Sequence, residues 1–252
     1  MAMATKNKRV IGAMPPERYD GIVLNLKKGM AAQSMLTVFT KQRGWMRIFL
    51  TKGKKAMQGV GGLLPFSLIS FDAWQKGNTF SLGEYECQGN DMIRNFSYER
   101  YVYMQIFVEM VLVLFPEGEA DGAVFSLLEH YSQALPVKDT RILTIIAGWQ
   151  LVSAAGFRPD TAQVQVYLDG LDESGQQQYS FADEPPELGS PVRLPDTVRN
   201  LWEKLLDYSW QDAQTIIIGK QSITTLEALL YSYVRQCAEW PLKSIAALGD
   251  IG

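Results

Sequence analysis

The residues best suited to chemistry in this sequence form a short alternating run that begins at Trp45. At the period of a β-strand, one face carries a ring, a cation and a second ring, namely Trp45, Arg47 and Phe49. The other face is aliphatic, and we expect it in the core because it has no polar atom to satisfy. It consists of Met46, Ile48 and Leu50.

Rings that stack on bases, beside cations that neutralise phosphates, are typical of proteins that bind single-stranded nucleic acid. Each stacked base contributes about 1–3 kcal/mol. The alternative is that Trp45 and Phe49 are buried beneath a helical layer, since large aromatic side chains usually lie in a core or an interface.

A basic segment, Lys52-Gly53-Lys54-Lys55, follows the alternating run. Together with Lys41 and Arg43 before the run, it predicts cations at both ends of one hairpin, where counterion release would give sequence-independent affinity for DNA. The segment is not a phosphate-binding P-loop, because the required glycine spacing is absent. The alternative interpretation is a solvated turn.

The charge of the whole chain supports a polyanionic partner for its first part. The chain has 24 basic and 27 acidic residues, but residues 1–60 hold twelve of the basic residues and only Glu17 and Asp20 of the acidic ones. Such asymmetry favours nucleic acid as a partner. A solubility gradient without a partner is the alternative.

Several function classes are disfavoured by composition. His130 is the one histidine, and Cys87 and Cys237 are the two cysteines, so two-histidine and four-cysteine metal sites are excluded. Nucleophile-elbow and dinucleotide motifs are absent as well. We therefore predict a binding protein that is not an enzyme and uses no cofactor and no metal.

The same composition bears on location. The chain has no apolar run long enough for a membrane span, and its basic amino terminus lacks the apolar segment of a signal peptide. Two widely separated cysteines fit free thiols in a reducing compartment, so we expect a cytoplasmic protein.

The elements that position these residues fall into two kinds. Up to about residue 90 the pattern is β, with short runs bounded by turn residues, which predicts a small barrel. The predicted strands are 21–26, 35–40, 45–51, 64–74 and 80–88.

From about residue 91 the apolar period becomes helical. We predict helices from the cap Ser97 to Phe115, from Ala120 to Ala134, from Asp139 to Ala155, from Asp196 to Tyr208, and from Ser222 to Ala238 with Ser222 or Thr224 as cap. Residues 157–195 read as irregular because of their prolines and a polar run, and Pro241 begins a short tail. The predicted class is therefore α+β, with a barrel over residues 1–90 and an all-α helical domain over residues 91–252.

The order of these signals resembles the RecO family of bacterial DNA-repair proteins. The matching segments are Gly21-Ile22-Val23-Leu24, Leu36 to Thr40 with Gly44, Lys52 to Lys55, Leu63-Leu64-Pro65-Phe66, Leu151-Val152 to Gly156-Phe157-Arg158-Pro159, and Leu242-Lys243-Ser244. The resemblance implies an OB-fold barrel followed by a helical domain. It also implies a recombination mediator in DNA repair that binds single- and double-stranded DNA, anneals complementary strands and associates with the nucleoid. Such a protein acts with the partner RecR to load the RecA recombinase, and it docks the acidic C-terminal tail of single-strand-binding protein.

The chain departs from that family's pattern in places. Many members carry four zinc-binding cysteines, but Val164 and Tyr167 stand at the first pair here, so the resemblance implies a degenerate, metal-free module around residues 157–195. Ala31 and Gln33 replace acidic residues, and Gln150 replaces an arginine.

Two hypotheses remain open. One is a DNA-binding mediator whose DNA-binding residues are Lys41, Arg43, Trp45, Arg47, Phe49, Lys52, Lys54 and Lys55. The other is a protein-interaction scaffold that binds an acidic partner tail without a direct DNA function. Four cations of the helical half are candidates for the tail, with nothing to select among them: Arg94, Arg100, Arg141 and Lys243.

Overall fold

The computed structural model describes residues 15–28, 34–50, 63–88, 97–171, 175–182, 186, 189–211 and 219–250. The chain divides into two compact units, residues 1–89 and 90–252. Within the described part of the chain, no helix is long and apolar enough to cross a membrane.

The first unit is a closed five-stranded, OB-like barrel, as predicted. Around the barrel the strands follow the order β1-β2-β3-β5-β4. A short parallel pairing of β3 with β5 closes it, and the other neighbours are antiparallel. The strands are β1 (Glu17–Lys28), β2 (Ser34–Thr40), β3 (Gly44–Leu50), β4 (Leu68–Lys76) and β5 (Thr79–Gln88).

The barrel interior is filled by alternate residues of each strand, which explains the period-two pattern of the sequence. Its core consists of Tyr19, Val23, Leu36, Val38, Met46, Ile48, Leu50, Leu63, Ile69, Phe71 and Ala73. The aliphatic face predicted for β3 is therefore buried in this core.

One strand boundary differs from the prediction. β4 begins at Leu68 rather than Leu64, because Leu64 to Ser67 form a turn closed by a bond from the Ser67 amide to the Leu64 carbonyl (3.1 Å). Pro65 fixes its own φ and lacks a donor, and Phe66 has a φ of 64°, so the backbone here cannot continue as a strand.

The second unit contains five α-helices among the described residues, with a small sheet between the third and the fourth. The helices are α1 (Tyr98–Leu114), α2 (Gly122–Ala134), α3 (Thr140–Ala154), α4 (Asp196–Leu206) and α5 (Lys220–Ala238), and a 3₁₀ helix follows at Lys243–Asp250. Ser97 caps α1 as predicted, and Asp121 and Asp139 cap α2 and α3. Helix α5 begins before the predicted caps, at Gly219, and Thr224 bonds back to the Lys220 carbonyl inside the helix.

The stretch predicted as irregular contains a three-stranded sheet, so the second unit is not purely helical. Its strands are β6 (Val166–Leu171), β7 (Gln177–Phe181) and β8 (Ser190–Val192), in the order β7-β6-β8. Helix α5 completes the open edge of β7. Ser232 Oγ accepts from the Tyr179 amide (3.0 Å), and the Gln236 amide group bonds both the N–H and the C=O of Phe181 (3.0 and 2.7 Å). A helix thus supplies the partners that a neighbouring strand would otherwise provide.

Candidate nucleic-acid interface

The β2–β3 turn is rigidly built. Thr40 Oγ1 accepts from the Arg43 amide (3.0 Å) and donates to the Gly44 carbonyl (2.9 Å). Gly44 has a φ of 63°, a conformation that glycine adopts without a steric penalty. The Lys41 amide also donates to the Asp20 carbonyl of β1 (2.9 Å), so the backbone that carries the exposed Lys41 side chain is fixed.

The outward face of β3 has the composition that the sequence predicted. Trp45 is half-buried, Arg47 is exposed and Phe49 exposes 36% of its surface. The Arg47 guanidinium carbon lies 5.9 Å from the Trp45 ring centroid, within the range of a cation–π contact. Neither ring is fully buried, so the alternative in which both are core residues is not what the structure shows.

Arg43 lies elsewhere on the barrel. Its guanidinium carbon is 5.0 Å from the centroid of Phe80, a ring that packs against the barrel core. Its charge also acts on Tyr19: burial and a hydrogen bond to Glu17 raise the pKa of the Tyr19 hydroxyl, and Arg43 opposes them. Arg43 and Arg47 therefore make separate contacts, and the predicted cations do not all share the outward face of β3.

The structure describes only some of the basic residues in the first 60 positions of the chain. Arg18 is paired with Asp72 (3.4 Å) and Glu86 (3.8 Å), so this cation is already engaged by neighbouring strands. Three of the predicted DNA-binding lysines lie outside the described residues, together with three basic residues of the amino terminus. These six are Lys52, Lys54, Lys55, Lys6, Lys8 and Arg9.

Trp74 and Lys76 of β4 face outward beside the outward face of β3, with β5 between the two strands. The sequence analysis did not predict either as a DNA-binding residue. The register places Phe49 beside Ser81 of β5, and Ser81 beside Trp74, which exposes 45% of its surface. A period-two reading of β4 could have found them, since Trp74 and Lys76 alternate with the core residue Ala73.

A second row of outward-facing residues lies two residues away along the strands from the row of Phe49, Ser81 and Trp74. Thr79 pairs with Lys76, and Arg47 directly precedes Ile48, whose partner on β5 is Phe80, the residue after Thr79. We call these two rows the β3–β5–β4 wall, and they consist of Arg47, Thr79 and Lys76, and of Phe49, Ser81 and Trp74.

The predicted cations of the helical half separate into internal and exposed residues. Arg100 donates to the Leu135 carbonyl, and Arg141 is bonded to Glu227 (2.5 Å). Both arginines are therefore engaged in contacts within the second unit. Lys243 is exposed, with its Nζ 5.9 Å from the Trp240 ring centroid. Arg94 lies outside the described residues.

Lys243 borders a cleft of about 550 Å³. Arg235 of α5 contributes a second cation to it, and the apolar lining includes Leu171, Leu242 and Ile245. The backbone there is fixed by Glu109, whose carboxylate accepts from the amides of Lys243 (2.9 Å) and Ser244 (2.7 Å). The cleft can thus offer positive charge beside apolar surface.

Residues 157–195, where the resemblance implies a degenerate zinc module, contain no cysteine and no histidine. Val164 and Tyr167 carry no thiol, and the Val164 carbonyl accepts from Arg199 (3.3 Å). Where residues are described, no three His, Cys, Asp or Glu side chains group closely enough to hold a metal ion. Burial raises the pKa of the nearby Cys237 thiol to about 11, which disfavours the thiolate that zinc would need.

The comparison with protein families decides the relationship. The family described as "Recombination protein O C terminal" matches residues 95–246, which is more than half of the chain. This chain belongs to the RecO family. The matched range runs from just before α1 into the 3₁₀ helix and includes the three-stranded sheet. A search of curated proteins finds no match. Membership gives the chain a RecO-like role in recombination and repair.

Proposed function

We propose that this protein is a DNA-binding recombination mediator that anneals complementary strands. The observation that carries the proposal is the outward-facing sequence of ring, cation and ring on β3, set on an OB-like barrel in a chain of the RecO family. The DNA-binding residues would be those of the β2–β3 hairpin and the lysines that follow it. These are Lys41, Arg43, Trp45, Arg47, Phe49, Lys52, Lys54 and Lys55.

The proposed chemistry is binding alone, so the protein acts without enzymatic catalysis. Cations neutralise phosphates and release counterions, and the exposed rings stack on unpaired bases. Two flexible strands that are held on one protein surface meet at a raised local concentration, which favours pairing. No covalent bond is formed or broken in this scheme.

The partners follow from the same family role. We propose that the protein works with RecR to help load RecA onto DNA coated by single-strand-binding protein, whose acidic tail it docks. We propose that it acts with these partners at the nucleoid. The proposal includes double-stranded DNA as a ligand, because the electrostatic part of the affinity does not depend on unpaired bases.

An annealing assay tests the function. Complementary oligonucleotides, one with a fluorophore and one with a quencher, are mixed with the protein with and without chelator, and with the strands naked or precoated by single-strand-binding protein. We expect annealing that the chelator does not slow. Arg47→Glu should reduce it, and the matched charge reversal at the exposed Lys220 of α5 should not. Annealing at the spontaneous rate in the presence of the protein would reject the proposal.

A second candidate function is a scaffold that binds an acidic partner tail without acting on DNA. The cleft lined by Arg235, Lys243 and Leu171 favours it, because cations beside apolar surface suit an acidic peptide with an apolar end. Binding of a labelled acidic peptide, lost in Arg235→Glu and Lys243→Glu, together with no DNA binding at moderate salt, would support the scaffold over the mediator.

A further inference from the structure

The β3–β5–β4 wall separates its cations and its rings into two rows, a pattern that the β2–β3 hairpin alone does not show. One row carries cations at both sides, Arg47 on β3 and Lys76 on β4, and both are exposed. The other row carries rings at both sides, Phe49 and Trp74, which expose 36% and 45% of their surfaces. Between them runs β5, with the small side chains of Thr79 and Ser81.

The spacing of the two rows follows from strand geometry. Neighbouring strands lie about 5 Å apart, so the Cα atoms of Phe49 and Trp74 stand about 10 Å apart on either side of Ser81. Rows two residues apart along a strand are separated by about 7 Å. Each ring is thus far enough from the other to take a base of its own, with a cation within reach of the adjoining phosphate.

The indole of Trp74 packs against Gly83 of β5, a residue without a side chain. A Cβ atom on Gly83 would lie 3.1 Å from Trp74 Nε1 and 3.0 Å from the Asp72 carbonyl oxygen. The indole nitrogen therefore lies close to Gly83, and a side chain at this position would require the indole or the Asp72 backbone to shift by a few tenths of an ångström. A large aromatic side chain that is packed on one side and exposed on the other has the geometry of a stacking platform.

The charge of the wall also limits where a nucleic acid can run. Lys76 enters no ion pair with the residues that the structure describes, whereas Arg18 is taken up by Asp72 and Glu86 farther along β4 and β5. The acidic end of these strands is unfavourable for phosphates. The cationic end, with Arg47 and Lys76, is favourable.

We infer that Trp74 and Lys76 are binding residues for single-stranded DNA, which crosses β3, β5 and β4 with bases on Phe49 and Trp74 and phosphates on Arg47 and Lys76. This inference rests on the proposed DNA-binding function and adds strand selectivity to it. The rings can stack on unpaired bases, but the bases of a duplex are already stacked and out of reach. The wall thus favours single strands over duplex.

The test is fluorescence anisotropy of the full chain with a labelled oligothymidylate and with a labelled blunt duplex. Trp74→Ala should weaken single-strand binding roughly 5- to 150-fold and change duplex binding less than about twofold. Lys76→Glu should lower the salt slope for single strands by about 0.7. The matched controls are Trp240→Ala, at an exposed tryptophan of the second unit, and Lys220→Glu, and both should leave single-strand binding unchanged.

A second variant keeps the test valid if Trp74→Ala does not fold. Trp74→Tyr retains a ring and should bind nearly as well as the parent protein. Bound DNA should quench less tryptophan fluorescence in Trp74→Tyr than in Trp240→Tyr, because only the first variant lacks the stacked indole. If the parent binds single strands but the Trp74 and Lys76 variants behave like their controls, the inference is wrong and the proposed function stands. Equal weakening for single strands and duplex in Trp74→Ala would also overturn it. A parent protein that binds no DNA would overturn the inference and the proposed function together.

Discussion

The ion pair between Arg141 of α3 and Glu227 of α5 allows a stability prediction whose size follows from the contacts. Glu227 Oε2 accepts from Arg141 Nε (3.0 Å) and Nη2 (2.5 Å), and Glu227 Oε1 accepts from the Tyr231 hydroxyl (3.1 Å). Burial alone would lower the pKa of Arg141, but the bonds and the charge of Glu227 reverse this and hold it above its usual range. Burial and the charge of Glu227 raise the pKa of Tyr103.

The two halves of the pair should not be equally costly to remove. The Glu227 side chain is only 10% exposed, so Arg141→Ala leaves a nearly buried carboxylate without its cation, held by the hydroxyls of Tyr231 and Tyr103. We expect a loss of about 2–4 kcal/mol in the free energy of unfolding, below the full cost of a wholly buried pair because Arg141 is 28% exposed. Glu227→Ala should cost less, about 1–2 kcal/mol, since the guanidinium can turn to water.

The double variant, Arg141→Ala with Glu227→Ala, completes the cycle. Because no charge is then left buried, the double variant should be more stable than the sum of the single losses predicts, with a coupling of about 1–3 kcal/mol. The control is Arg158→Ala. Arg158 is bonded to two carboxylates, Glu203 (2.8 Å) and Asp207 (2.9 Å), but its side chain is 41% exposed, so its removal should cost less than about 1 kcal/mol.

Urea unfolding followed by far-ultraviolet circular dichroism measures these losses, because the described α-helices belong to the second unit. Equal losses for Arg141→Ala and Arg158→Ala, or additive losses in the double variant, would show that burial does not set the strength of the Arg141 pair.

Three further predictions address other features. The first concerns the lysines after β3, Lys52, Lys54 and Lys55, whose charge is reversed. The slope of log affinity for single strands against log salt should flatten by about 0.7 for each phosphate that is no longer neutralised. An unchanged slope would reject their assignment as DNA-binding residues. Glu109→Ala should speed hydrogen exchange of the Lys243 and Ser244 amides by about 10- to 100-fold, and Glu99→Ala should not, because those amides donate to the Glu109 carboxylate. The free energy of unfolding should fall as pH rises from about 8.5, where the unfolded thiol titrates, toward the raised pKa of Cys237 at about 11. Cys237→Ser should remove on the order of 1 kcal/mol of that fall, and identical pH profiles for parent and variant would contradict this reasoning.

Much of the fold could be predicted because its signals are local. The alternation in β3 and the cap Ser97 of α1 depend on residues within a few positions of one another, and the structure confirms both. The start of β4 was predicted wrongly, although the signal was also local: Pro65 at the second position of a tight turn ends the extended backbone before Leu68.

The sheet of the second unit could not be predicted in the same way. Its edge strand β7 obtains hydrogen-bond partners from Ser232 and Gln236, more than 50 residues later in the chain. Strand pairing of this kind depends on contacts that are distant in sequence, whereas the prolines and polar residues nearby indicate only an irregular segment.

By itself the sequence determined the order of the barrel strands and of the helices, the inward and outward faces of β3, and the ring–cation pattern that suggests nucleic acid, because each depends on spacing along the chain. Only the tertiary structure decided which side chains stand together. Barrel closure brings Trp74 and Lys76 of β4 into line with Phe49 and Arg47 of β3, and a contact with Phe80 directs Arg43 elsewhere. The physical reason is that strand register, which no single segment encodes, sets the neighbours of each residue across a sheet.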